Sequence, residues 1–333
     1  EDYGNPSSSH AYGQQSAKAI REARLFFADL FRVEPTQIIF TGSGSESDNL
    51  AVYGIALQAL ARRKPSSDAA PLRVLSSATE HPAVRKTVLS LNTLGPHSFD
   101  AQLIPVDRDG QIQRDRYLEL LTPETALVSI QQVNNITGAE LPVEELAALA
   151  KERVPSVFFH TDAVQAFGKT SRTPSAPSAI DLVSVSGHKV KGPKGVGALV
   201  VLNKKLLKDG IRPLIWGGEQ EGGMRSGTQN AGLIAGFHAA ARELFTDHAS
   251  YLKKIDALRA LFHEKLQSTG LLTDDPKAHG RIHWNSPKTA VPHIVSLSVP
   301  GFPTGPLAKL MEERGFLIST GSACSSQKME PDA

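Results

Sequence analysis

The stretch Ser184-Val185-Ser186-Gly187-His188-Lys189-Val190-Lys191-Gly192-Pro193-Lys194-Gly195-Val196-Gly197-Ala198-Leu199 decides how this chain folds. Asp181-Leu182-Val183-Ser184-Val185 at its start and Gly197-Ala198-Leu199-Val200-Val201-Leu202 at its end are short β-type runs, so the spacing predicts two strands joined by a tight basic turn. Lys189 sits between His188 and a loop with glycines at 192, 195 and 197, which lets the backbone approach a ligand closely. A lysine fixed at a strand end can be desolvated enough to lose its proton and act as a nucleophile or Schiff-base donor. Ser186, His188 and Lys189 also fit a second reading, a phosphate-binding or merely solvated basic loop, and glycine spacing does not choose between the two.

Upstream, the text alternates strand and helix. Ala19, Ala23, Phe26, Phe27 and Leu30 share one helical face, and Pro35 is expected to end that helix. Gln37-Ile38-Ile39-Phe40-Thr41 then reads as a buried strand, followed by Gly42-Ser43-Gly44-Ser45 and a helix carrying Leu50, Tyr53, Leu57 and Leu60. Strand, glycine turn and helix start offer free backbone N–H groups to an anion, which makes Gly44 and Ser45 candidate phosphate contacts; an ordinary helix capped by Ser45 is the alternative.

The alternation continues with a strand over 72–77, closed by Thr79-Glu80-His81, and a helix opened by Pro82. A strand over 103–106, a helix over 114–121 and a strand over 126–130 running towards Asn134-Asn135 come next. A helix from Val143 to about Arg153 then leads to a strand over 157–162 that ends on an acid, Asp162. This rhythm predicts an α/β fold, a mostly parallel sheet flanked by helices, with ligands at the carboxyl ends of the strands. Ser45, His81, Asn135, Asp162, Gln165, His188 and Lys189 each follow a strand. An acid, a lysine, a flat histidine and an anion-binding turn are the set that a phosphorylated pyridine cofactor requires.

Composition narrows the partners. A chain of 333 residues, 40% hydrophobic, can bury a large core as one big domain or two ordinary ones. Its formal charge of +2, from 36 basic and 34 acidic side chains, gives no electrostatic case for nucleic acid or an anionic membrane. No run reaches the ~20 apolar residues of a membrane span, and Glu1-Asp2-Tyr3-Gly4-Asn5 has neither a basic n-region nor an apolar h-region. The single cysteine, Cys324, excludes an internal disulfide and a thiolate metal cluster made by this chain alone, so no metal is expected and a reducing compartment, the cytoplasm, is the default.

Beyond Leu202 the character changes. The segment 216–228 is too rich in glycine for a regular element, and long structureless loops tend to be functional. Asn230 to about Leu266 reads as one long helix leading to a smaller α+β domain, with a strand over 294–299, a helix from about Gly305 to Arg314 and a strand over 316–318. The large domain is expected over 14–249 and the small one over 1–13 with 250–333. Cys324 lies in a small-residue run, Ser319-Thr320-Gly321-Ser322-Ala323-Cys324-Ser325-Ser326, that cannot pack a core; a cysteine so placed is chemical rather than structural.

Nine motifs in order carry a resemblance: Gly4-Asn5-Pro6-Ser7-Ser8, Glu46-Ser47-Asp48-Asn49-Leu50-Ala51, Thr79-Glu80-His81, Asn134-Asn135, Asp162-Ala163-Val164-Gln165, Ser186-Gly187-His188-Lys189, Gly192-Pro193-Lys194-Gly195, Met224-Arg225-Ser226-Gly227-Thr228 and Gly321-Ser322-Ala323-Cys324. With them the chain resembles a group I cysteine desulfurase, a pyridoxal-phosphate enzyme of the fold type I aminotransferase superfamily, class V. The resemblance implies that Lys189 forms the Schiff base with pyridoxal 5'-phosphate and later moves the substrate Cα proton. It implies that Asp162 keeps the ring nitrogen protonated, that Gln165 bonds the phenolic oxygen, and that His81 stacks on the ring and serves as acid and base. Gly44, Ser45, Ser186 and His188 would hold the phosphate, with Thr228 reaching over from a second subunit of a homodimer, and Asn135 would lie beside the cofactor's oxygen and the substrate carboxylate. Cys324 would be the nucleophile that takes sulfur from L-cysteine as a persulfide, releases alanine and delivers sulfur to an acceptor protein such as an iron–sulfur scaffold, or to tRNA thiolation.

The family pattern opens with an extra strand and runs several tens of residues past the cysteine, through an arginine that clamps the substrate carboxylate. The resemblance therefore expects either a fragment of a longer protein, with an organelle leader possible in the missing part, or a natural short form. Two other activities fit these motifs: a related pyridoxal-phosphate lyase or aminotransferase for which Cys324 is dispensable, and an inert truncated paralogue acting as a scaffold.

Overall fold

The computed structural model describes residues 4–63, 70–95, 97–208 and 210–321. The chain divides into two compact units, residues 1–133 with 141–252 and residues 134–140 with 253–333.

In the first unit, α1 (Ala11–Phe31) buries Ile20, Ala23, Phe27, Ala28 and Phe31, the three-and-four spacing of one helical face. The helix stops before Pro35 because Arg32 adopts a left-handed conformation, φ 55°, and turns its N–H back onto Ala28 and Asp29. Pro35 instead opens a short 3-10 turn ahead of β1 (Ile38–Thr41). Then follow α2 (Gly44–Arg62), β2 (Leu72–Ser77), α3 (Pro82–Ser90), β3 (Phe99–Ile104), α4 (Arg114–Leu120), β4 (Thr125–Ser129), α5 (Val143–Arg153), β5 (Phe158–Asp162), β6 (Leu182–Ser186) and β7 (Gly197–Val201).

These seven strands form one sheet in the order β1-β7-β6-β5-β4-β2-β3. The pairs from β3 to β6 are parallel, and β7 runs antiparallel between β6 and β1. The expected α/β fold with a mostly parallel sheet is therefore present, buried between helices as such sheets must be. The strand expected over 103–106 begins earlier, at Phe99, and ends before Pro105, which has no N–H to give a ladder. An aromatic seam joins α1 to α6 (Ala231–Thr246): Phe27 and Phe237 lie 4.6 Å apart, and Phe31 stacks on Phe167 at 5.6 Å.

The long helix expected from Asn230 is two helices. Asp247, at φ −133° and ψ 49°, breaks it, and α7 (His248–Ser268) starts afresh with the His248 ring 3.2 Å from the Gly168 carbonyl. No proline or glycine marks this break, so the helical periodicity alone runs through it.

The second unit holds a three-stranded sheet in the order β10 (Leu297–Ser298), β9 (Ile282–Trp284), β8 (Leu272–Thr273), and a helix α8 (Thr304–Glu313). Arg259 donates to the carbonyl of Val291 at 2.7 Å with its guanidinium 5.7 Å from the Trp284 ring. The strand expected over 294–299 shrinks to its last residues, and 316–318 form no strand: a β-run becomes a strand only by pairing, and among the described residues these three have no ladder partner.

Candidate active site

The sheet register brings the polar residues to one edge. Ser129 pairs with His160, Asp162 with Ser184, and both Ser186 and Thr41 with Gly197, so the carboxyl ends of β1, β4, β5 and β6 lie side by side. α2 starts against this edge. Its cap is Ser43, whose Oγ accepts the Glu46 N–H at 3.1 Å, rather than Ser45. Capping at 43 leaves the amides of Gly44 and Ser45 outside both the cap bond and the helical ladder. A Cβ at Gly44 would meet Val164 at 2.7 Å and Ser186 at 3.2 Å, so only glycine lets the helix start come this close to the β5 and β6 ends.

Around that start stand the expected residues. Ser186 Oγ lies 2.9 Å from His188 Nδ1, in the turn after β6 that also carries Lys189. Lys189 and His188 are both exposed. His81 caps α3, its Nδ1 accepting the Ala83 N–H at 3.2 Å, which leaves the ring half-buried at the end of β2. Asp162 is 7% exposed, and its Oδ1 accepts the Val164 N–H at 2.8 Å. Gln165 follows on the same turn and receives a hydrogen bond from Lys169 Nζ at 3.1 Å.

One ammonium organises the field. Burial pushes the Asp162 carboxyl up to about 6, while the Val164 amide and the charge on Lys189 pull it back. Burial lowers His81, and Lys189 lowers it further; the same two causes, in that order, lower His188 and bring Lys169 down to about 8. The residues brought together are thus Gly44, Ser45, Ser186, His188, Lys189, His81, Asp162 and Gln165. Asn135 belongs to the 134–140 segment of the second unit, half-buried on a turn whose N–H groups at 136 and 137 are both bonded to Asn134 Oδ1 at 2.9 Å. Thr228 is exposed in the loop between β7 and α6, and Cys324 lies outside the described residues.

Three buried groups were given no role in the sequence reading, although Asp48 and Glu80 lie in two of its motifs. Asp48, 1% exposed on α2, has its carboxyl held well above the usual range by burial and then the nearby Asp162, with Ser184 pulling it back. Glu80, raised chiefly by burial, accepts the Gln131 N–H at 2.8 Å. His160, fully buried and pushed down to about 3 by desolvation, sits between Ser129 Oγ at 2.8 Å and Ser184 Oγ at 2.9 Å. Because that imidazole stays neutral, its 3.8 Å approach to Asp48 is no ion pair. His160 stood two residues before Asp162, on the same strand face, and that period-2 spacing was the signal available.

A phosphorylated pyridine aldehyde fits these groups. The glycine cradle at 44 presents amides to a phosphate. Asp162 is a buried carboxylate suited to a protonated ring nitrogen, and Lys189 offers the amine.

The sequence profile of the aminotransferase class-V family matches residues 1–331, and the chain belongs to that family. Over 99% of its length it is 36% identical to the cysteine desulfurase NifS of Azotobacter vinelandii, covering 76% of that protein. It is 34% identical to the cysteine desulfurase IscS of Dictyoglomus turgidum, covering 77%. Against the human cysteine desulfurase the figures are 35% identity and 66% of that chain, and against the mitochondrial one of Candida maltosa 34% and 63%. Among solved structures, a NifS-like protein superposes with a TM-score of 0.84 at 31% identity, over 96% of this chain and 81% of its own. SspA in complex with cysteine superposes at 0.75 and 30%, over 98% and 84%. Within the class-V family, then, this is a pyridoxal-phosphate-dependent cysteine desulfurase.

Proposed function

We propose that the chain converts L-cysteine to L-alanine and keeps the sulfur as a persulfide on Cys324, for transfer to an acceptor protein in iron–sulfur cluster assembly or to tRNA thiolation. The observation that carries this reading is the gathering of Lys189, Asp162 and His81 around one helix start at the sheet's carboxyl edge. When bound, pyridoxal phosphate supplies an aldehyde for amines and a ring that withdraws electrons from the substrate's Cα.

The protein's part is positioning and proton transfer. With the cofactor bound, the Gly44 and Ser45 amides, with Ser186 and His188, would hold its phosphate, Asp162 would keep the ring nitrogen protonated, and Gln165 would donate to the phenolic oxygen. Lys189 would hold the aldehyde and move the substrate Cα proton, and His81, whose proton affinity burial and then Lys189 lower, would stand beside the ring as acid and base. The Cys324 thiolate attacks the sulfur of the bound cysteine. An S–S bond forms and the C–S bond breaks; its electron pair stays on carbon, which protonation completes to alanine, so one thiol and one cysteine give one persulfide and one alanine.

Thr228, exposed on its loop near Trp216 (70% exposed), supports a homodimer in which this loop completes the partner's phosphate site. No helix among the described residues is long and apolar enough to cross a membrane, and we place the chemistry in the cytoplasm or an organelle. Intact mass after incubation with L-cysteine tests the reading. A gain of one sulfur mapped to Cys324, absent in Cys324→Ser, is expected; alanine release that persists in Cys324→Ser would contradict it.

A further inference from the structure

Lys169 is 8% exposed, yet among the described residues it makes no ion pair with a carboxylate. Its Nζ donates instead to the neutral Oε1 of Gln165 at 3.1 Å. The geometry is set by the backbone: Phe167 N–H bonds Ala163 O at 2.8 Å and Thr170 N–H bonds Ala166 O at 3.1 Å, a helical turn that puts residues four apart on one side. Burying an ammonium without an anion is costly, and a methionine would fill the same volume without that cost. The position calls for a donor.

An amide has one accepting and one donating end, and an ammonium can only donate. With Lys169 on Oε1, the Gln165 nitrogen must point the other way. We propose that Lys169 is a positioning residue that fixes the Gln165 amide with its N–H groups towards the cofactor's phenolic oxygen, an inference that rests on the assignment of Gln165 to that oxygen. Lys169 is itself held by the turn, and the charged groups facing it are Lys189 and His188; burial first, and then Lys189, brings its own proton affinity down to about 8.

A hydrogen bond to an oxyanion favours the anion. Loss of the oriented donor therefore raises the pH midpoint of the bound cofactor's visible absorption band, a property of the resting holoenzyme that needs no turnover. The test is a double-mutant cycle on holoenzyme: wild type, Lys169→Met, Gln165→Leu and the double variant, each titrated by absorbance. Both single variants are expected to raise the midpoint, Gln165→Leu by about one pH unit and Lys169→Met by a half unit or more, with the double variant matching Gln165→Leu. A Lys169→Met midpoint equal to wild type, while Gln165→Leu moves, overturns the inference alone. So does a double variant at the sum of the single shifts, which would mean that Lys169 acts directly by charge. An unmoved Gln165→Leu overturns the assignment of Gln165 and the inference with it. Lys169→Leu, which carries no donor, replaces Lys169→Met with the same expected and overturning results if the methionine variant does not accumulate.

Discussion

Asp162 shows what the site asks of one side chain. It is a carboxylate buried beside two other acids, Asp48 and Glu80, whose own carboxyls burial holds well above their usual range. Its folded value of about 6 lies above its ordinary 3.8, so in the cofactor-free protein it binds its proton more tightly folded than unfolded. The sign follows: its burial costs nothing below about pH 4, and the cost grows as pH rises through about 6, reaching at most about 3 kcal/mol at 1.36 kcal/mol per unit. Asp162→Asn removes that cost. Urea unfolding of the cofactor-free proteins should show the variant gaining on wild type by up to about 3 kcal/mol between pH 4 and about pH 8; a gap that does not change with pH would contradict the charge assignment. At this scale much was legible. Asp162 ends a strand and His81 and Lys189 come after one, and strand ends are where parallel sheets place ligands. Asp48 and Glu80 were not, because their meaning lies in burial and in each other's charge, neither of which is written locally.

The helix start at Ser43 and the loop after β7 are the elements that hold the site in shape. The loop is tied to the first unit by two ion pairs from opposite ends of the sequence. Arg24 of α1 grips Glu221 with two bonds of 2.7 and 2.9 Å, and Glu221 also accepts the Phe40 N–H at 2.9 Å and a bond from Gln229. Arg225 meets Glu46 at 2.7 Å, and Glu46 in turn receives the Gly42 N–H. The Glu221 side chain is 1% exposed, so Glu221→Ala leaves the Arg24 guanidinium without its anion in a mostly buried place. It should cost about 3–5 kcal/mol of stability and open 216–228 to proteolysis, measured by thermal unfolding and limited digestion. A variant as stable and as resistant as wild type would show that the loop is held otherwise. The glycines at 217, 218, 222 and 223 announced a loop, and apart from a short 3-10 turn at Gln220–Gly223 it is one, but its anchors were invisible in the text because the partners are 197 and 179 residues apart. The Ser43 cap was missed for the opposite reason: two serines flank Gly44, and local pattern alone does not say which one the helix takes.

Across the whole chain, stability is uneven in a way that amide exchange can read. β4, β5 and β6 are almost wholly buried and paired on both sides, whereas α7 and α8 bury no residue fully and leave Leu258, Leu261, Phe262 and Leu310 exposed. Amides of the central strands should exchange only by global unfolding, and those of 253–268 and 304–313 by far smaller openings, a difference of at least about 100-fold in protection. Equal protection in both would contradict it. The fold class was readable from the strand–helix rhythm, since hydrophobic runs and glycine turns are local signals. The helix break at Asp247 was not, because no proline or glycine marks it, and the short strands of the second unit were not, because pairing partners rather than propensity decide them. The account rests on one amine, Lys189, in the turn between β6 and β7, taking the cofactor's aldehyde. Borohydride reduction of the pyridoxal-phosphate-loaded protein, followed by peptide mass mapping, should place the cofactor on Lys189 and nowhere else; a label on Lys169 or Lys191, or none at all, would contradict it.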